Sequence, residues 1–221
     1  MKNSIIKKVV ATALTFTFLA SFGACAKKTE TGTAASAQAS NSQSVVLKVG
    51  ANITPHSEIL EVAKPILAKE GITLEIVKLE DSITPNTGVI EGSLDANYFQ
   101  HVPYLEQFNL ENGSDLVSIG AIHYEPFGIY AGKTTDLAAL PDVDVAVING
   151  NYAIEGGLHV SQALAVEAND GLAATTYGNI IATSPAKASD PALLTLVEVL
   201  QSEEISSYIN STYDGAVVPL N

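Results

Sequence analysis

Val45-Val46-Leu47-Lys48-Val49-Gly50-Ala51 opens the folded part of the chain as a β-rich run. Residues 57–70 follow it, with Ile59, Val62, Ile66 and Leu67 on one helical face before Gly71 stops the helix. Ile72, Leu74 and Ile76 then alternate with Thr73, Glu75 and Val77, which is the period of a strand. Strand, helix and strand at this spacing predict a βαβ unit, and Pro65 is expected to kink the helix or mark its exposed side. The same alternation continues outward. Residues 85–92 read as a short helix, 94–97 as a brief strand, 102–108 as a helix carrying aromatic residues, and 116–122 and 127–131 as strands. From 45 to 133 this describes an open α/β sheet with helices against its faces.

Beyond it, residues 134–142 read as a short helix or linker, 143–148 as a buried strand, 152–156 as one or two helical turns and 177–183 as a strand. Asp190 as N-cap and Pro191 at the first helical position open a long helix to about Tyr208, with Leu193, Val197 and Leu200 on its buried face. The chain shows no internal repeat.

Toward the N-terminus the sequence has the three-part build of an export signal: Lys2, Lys7 and Lys8, an apolar run over residues 9–22, then small residues. That run is shorter than the ~20 apolar residues a membrane-crossing helix needs. Residues 1–24 therefore read as a removable signal, with an uncleaved anchor as the alternative. Cys25, the only cysteine, follows Phe22-Gly23-Ala24, a segment that resembles the lipobox of bacterial lipoproteins, in which the cysteine is lipidated. Residues 25–44 are rich in Ala, Ser, Thr and Gln, have almost nothing to bury, and read as a disordered tether. Removing 1–24 takes away three of the 11 lysines and no acidic residue, leaving eight against 24 acidic residues and a formal charge of −16. Nucleic-acid binding requires clustered basic residues, and this chain has no arginine, so that class is excluded.

The histidines at 56, 101, 123 and 159 lack metal-ligand spacing, and no Gly-x-Ser-x-Gly elbow, phosphate loop or dinucleotide fingerprint occurs. No metal, no cofactor and no enzymatic activity are expected. Glu203 and Glu204 read as a solvated helix face. The dense chemical cluster is Asp95-Ala96-Asn97-Tyr98-Phe99-Gln100-His101-Val102-Pro103-Tyr104, after a short strand, where open sheets present their ligand crevices. Aromatic walls with amide and imidazole groups suit a small amphipathic ligand, and equally suit aromatic core packing around one hydrogen-bonded histidine.

Leu94-Asp95-Ala96-Asn97-Tyr98-Phe99-Gln100-His101, preceded by Thr84-Pro85-Asn86, resembles the hallmark of the NlpA-type methionine-binding lipoproteins, substrate-binding components of methionine ABC transporters. The likeness extends through Val147-Ile148-Asn149-Gly150-Asn151-Tyr152-Ala153, Tyr177-Gly178-Asn179-Ile180-Ile181 and Gly215-Ala216-Val217-Val218-Pro219. The resemblance implies an α/β, periplasmic-binding-protein-like (type II) two-lobe fold closing on an amino acid. Its lobes would be 45–133 and a truncated 134–177, with 178–221 returning as a strand and C-terminal helix against the first lobe. It implies a ligand, L-methionine or a related small amino acid, lined by Phe99, His101 and Tyr104 from the first lobe and by Asn149 and Asn179 from the second lobe and hinge side. It also implies an ABC permease as partner, lipid (palmitate) on Cys25, and a place on the extracytoplasmic face of the cell membrane.

Three departures stand against the family pattern. Leu140-Pro141-Asp142 runs almost directly into Val143-Asp144-Val145-Ala146 where the family has several dozen further residues, including an arginine that grips the ligand carboxylate. Ser82 stands where many relatives carry an aromatic pocket residue, and Phe22 where the lipobox usually has Leu. The expected function is solute binding with impaired affinity. The alternative is a surface lipoprotein with a contact or adhesion role.

Overall fold

The computed structural model describes residues 44–131 and 145–220. The export signal, Cys25, the tether up to residue 43 and the helix or linker expected over 134–142 lie outside the described residues. No helix among the described residues is long and apolar enough to cross a membrane.

β1 (Val45–Ala51) and β2 (Ile72–Lys78) pair in parallel, Val45 opposite Ile72 and Ala51 opposite Lys78, with α1 (Glu58–Lys69) crossing between them. Gly71 adopts φ 77°, a left-handed turn open to glycine without steric cost, and so lets the chain leave α1 straight into β2. α1 buries Ile59, Leu60, Ala63 and Leu67, a face rotated from the expected one, and Val62 and Ile66 are only partly buried. Pro65 sits on the exposed side, where its missing N–H costs the core nothing.

α2 (Thr84–Ile90), β3 (Ala96–His101), α3 (Val102–Asn112), β4 (Val117–Tyr124) and β5 (Phe127–Ala131) follow, then β6 (Val145–Asn149), α4 (Gly150–Glu155), β7 (Ala163–Val166), α5 (Leu172–Thr176) and β8 (Asn179–Thr183). α6 (Pro191–Leu200), α7 (Glu203–Tyr213) and β9 (Val218–Pro219) complete the described chain. A six-stranded sheet has the order β9-β4-β8-β3-β1-β2, and a three-stranded sheet the order β6-β5-β7. β8 lies antiparallel to both β3 and β4, in the middle of the larger sheet.

Three expectations need correction, and one strand was unforeseen. The strand expected to be buried over 143–148 is described from Val145 as β6, and Val145 and Val147 are exposed. The brief strand expected at 94–97 is β3, which extends to His101, so the aromatic cluster is itself the strand. The long helix from Pro191 is two helices: Ser202 caps α7 by accepting from Ile205 N–H, and Glu203 and Glu204 occupy the first turn, where the helix dipole favours negative charge. β7 was not expected at all, because Ala163-Leu164-Ala165-Val166 has no alternation, and three of its four residues are exposed.

The main core packs α1, α6 and α7 on the larger sheet through Ile59, Leu60, Leu193, Leu196, Leu200, Ile205 and Ile209. Each such side chain contributes roughly 1.5–3 kcal/mol. The smaller sheet rests on much less: Tyr130, Ile148 and Ala153 are its buried cluster. Among the described residues, β6 and β7 pair on one side only.

Candidate functional site

The carboxyl ends of β1, β3 and β4 point the same way, and the smaller sheet begins where they stop. A cleft of about 720 Å³ opens there. Asn52 and His56 reach it from the turn after β1, Phe99 and His101 from the end of β3, and Tyr124 and Glu125 from the end of β4. Phe127 of β5, Val147 to Asn149 of β6, Tyr152 of α4, Glu167 after β7, and Tyr177 and Asn179 at the return to the larger sheet complete the facing wall. The chain crosses between the sheets at 124–127 and at 177–179, so the cleft sits at both crossings.

Four of the five residues expected at the ligand, Phe99, His101, Asn149 and Asn179, line this cleft. Tyr104 does not. Its hydroxyl donates to the Ser82 carbonyl at 2.8 Å, and its ring meets Phe99 edge-on at 5.9 Å, so it backs the wall that Phe99 presents. Ser82 itself is on the lining. His101 accepts from Tyr104 N–H through Nδ1 at 3.2 Å, capping α3, and its ring stands 5.2 Å from Tyr177. Asn149 caps α4 and donates to the Glu125 carbonyl at 3.1 Å, which ties the two walls together.

The other amides of the cluster serve the core. Asn97 and Gln100 are buried with Asn86 in a network of hydrogen bonds at 2.7–3.0 Å, and Asn97 also donates to the Pro85 carbonyl. This joins the start of α2 to β3 and explains Thr84-Pro85-Asn86 on structural grounds alone.

Beneath the cleft lies a buried polar group that sequence spacing did not reveal. His56 Nε2 is 2.9 Å from Asn179 Oδ1, His123 Nε2 is 2.9 Å from Glu125 Oε1, and the Tyr98 hydroxyl meets His123 Nδ1. Neutral imidazoles with hydrogen on Nε2 satisfy all three contacts, Tyr98 donating to His123 and both Nε2–H groups donating outward. Burial drives the pKa values that way: His56 falls to about 4, helped by its neighbour His123, and His123 falls to about 3. Burial likewise lifts Glu125 to about 7. His56, His123 and Glu125 place ligand atoms within 4.8 Å of one another, so they could hold a metal ion only by giving up these hydrogen bonds. The signal that could have found His56 and Glu125 is positional: both follow the carboxyl ends of strands, where open sheets bind ligands.

With aromatic rings on both walls and amide, imidazole and carboxyl groups between them, the cleft can enclose a small amphipathic molecule. Residues 47–142 and 138–221 match the NlpA lipoprotein family. A methionine-binding lipoprotein of Bacillus subtilis (strain 168) is 31% identical over 242 residues, covering 78% of this chain and 87% of that protein. The solved structure of a nutrient-binding protein of Burkholderia cenocepacia bound to methionine is 25% identical, with a TM-score of 0.69, covering 80% of this chain and 100% of that one. An ABC-transporter periplasmic substrate-binding protein of Coxiella burnetii is 27% identical, with a TM-score of 0.69, covering 79% and 100%.

Proposed function

The chain belongs to the NlpA lipoprotein family, and from that premise we propose that it is a lipid-anchored, extracytoplasmic solute-binding protein of an ABC uptake system for methionine or a related small amino acid. The family is one of substrate-binding lipoproteins, not of enzymes. One observation carries the ligand reading: Phe99 and His101 of β3, Asn149 and Asn179, drawn from three separated parts of the sequence, line a single cleft between the two sheets. In this reading Phe99 takes the thioether, which packs well on an aromatic face, and Asn179 offers its amide to the ligand's polar end. The larger sheet with its helices acts as one lobe and the smaller sheet as a reduced second lobe, with β5 in the second, so the boundary lies at the 124–127 crossing and not at residue 133 as expected. Cys25 carries the lipid, and an ABC permease receives the ligand.

Affinity is impaired in this account. The alignment to the Bacillus subtilis relative runs over 242 residues although only 78% of this 221-residue chain takes part, so a stretch of that relative has no counterpart here. A small second wall leaves ligand and cleft partly wet, and no guanidinium is present to hold a carboxylate. Titration calorimetry of the protein purified from membranes in detergent, beside a version with a family-like segment inserted between Leu140 and Val143, tests both parts. L-Methionine is expected to bind the natural chain at least about a hundredfold more weakly. Equal affinities would overturn the impairment, and heat from neither protein would overturn the ligand assignment.

A further inference from the structure

The cleft has an unusual charge balance. Two carboxyl side chains, Glu125 and Glu167, line it, and among the described residues no lysine does; the chain has no arginine. Its imidazoles do not supply the missing cation, because burial lowers the pKa values of both His56 and His101. Glu125 is 6% exposed and accepts from His123 through Oε1, while Oε2 makes no hydrogen bond among the described residues. This is a nearly buried carboxyl with an oxygen left for a donor at the cleft. Glu167 takes the Tyr124 hydroxyl and the Phe127 N–H, at 3.3 Å, on a single oxygen, Oε2. Phe99, Phe127 and Tyr177 add aromatic rings to the lining, a residue type that attracts cations.

We infer that the site selects a small thioether or aliphatic ammonium whose carboxyl group is masked as an amide or ester, in preference to the free amino acid. The inference rests on the ligand reading above and concerns which charge state of that ligand the cleft takes. An ammonium would donate to Glu125 Oε2, draw that buried carboxyl into its ionised form and shed hydration against the paired charge. A free carboxylate in the same cleft would meet the Glu167 and Glu125 carboxyl groups and, among the described residues, no counter-ion, so its desolvation would go uncompensated. A masked carboxyl presents a neutral carbonyl oxygen, which the Asn179 Nδ2–H can serve while Oδ1 stays with His56.

The test is calorimetry on the full chain purified in detergent with three ligands that share one side chain: L-methioninamide, L-methionine and N-acetyl-L-methionine. The amide is expected to bind at least tenfold more tightly than methionine, and N-acetyl-methionine more weakly than either. Glu125→Gln, which keeps an acceptor for His123, is expected to cut the amide's advantage to less than threefold. Its circular dichroism spectrum is expected to match the natural chain's. L-Methionine binding as tightly as the amide, or an amide advantage untouched by Glu125→Gln, would overturn the inference and leave the proposed function standing. Failure of all three ligands would overturn that function and this inference with it.

Discussion

Asn179 Oδ1 lies 2.9 Å from His56 Nε2, joining the first residue of β8 to the turn after β1 across 123 positions of sequence. Both side chains are buried, and the same asparagine is paired through the sheet with His101 of β3 and His123 of β4. The cleft floor is therefore held by a residue that arrives late in the chain. Asn179→Ala leaves His56 Nε2 without a partner in a site that water reaches poorly, so a loss of about 1–3 kcal/mol is expected in urea unfolding. A loss below the error of the fit would show that the bond is expendable.

The buried titratable groups oppose one another with pH. His56 and His123 are held below their ordinary value of 6.5, so the stability they contribute is present above it and is lost as pH falls toward about 4. Glu125 is held above its ordinary value of 4.5, so its contribution is present below that value and is lost as pH rises to about 7. Glu125→Gln removes only the second effect. Relative to the natural chain, the variant is expected to gain stability between pH 4.5 and 8, by roughly 3 kcal/mol at most. A stability difference that does not change with pH would contradict the assignment.

A Cβ added at Gly150 would stand 1.9 Å from the Ala216 carbonyl oxygen. The start of α4 thus seats the smaller sheet's helix directly on the backbone before β9, closer than any side chain permits. Gly150→Ala is expected to cost about 1–3 kcal/mol and to speed amide exchange in β6 more than in β1. Equal effects on both strands would mean that the contact is not local to this joint.

If Cys25 carries the proposed lipid, Cys25→Ala is expected to move the protein out of the membrane fraction when it is washed at high salt, because acyl chains would supply the hydrophobic hold. Unchanged retention would point to an uncleaved apolar segment as the anchor.

How far the sequence speaks depends on how local the cause is. β1, α1 and β2 follow from period and a stopping glycine, and α6 starts at Asp190 and Pro191 as read, since caps are local chemistry. The break before α7 hides behind continuing apolar residues: Ile205 and Ile209 bury much as Leu193 and Leu196 do, and only the Ser202 cap marks a restart. Asn97 and Gln100 look like ligand groups in sequence and prove to be partners of Asn86, because a strand alone does not say which face meets the cleft. The place of His123 in the buried group became legible only once packing set Tyr98 and His56 against it, contacts that join separate parts of the chain.

The central claim is that a small thioether ligand enters the cleft between the two sheets. Amide and side-chain NMR of the chain lacking residues 1–44, titrated with L-methioninamide and separately with L-methionine, tests it most directly. The account predicts saturable shifts concentrated at Phe99, His101, Glu125, Asn149 and Asn179, with the amide saturating first. Spectra unchanged at millimolar ligand, or shifts centred away from these residues, would contradict it.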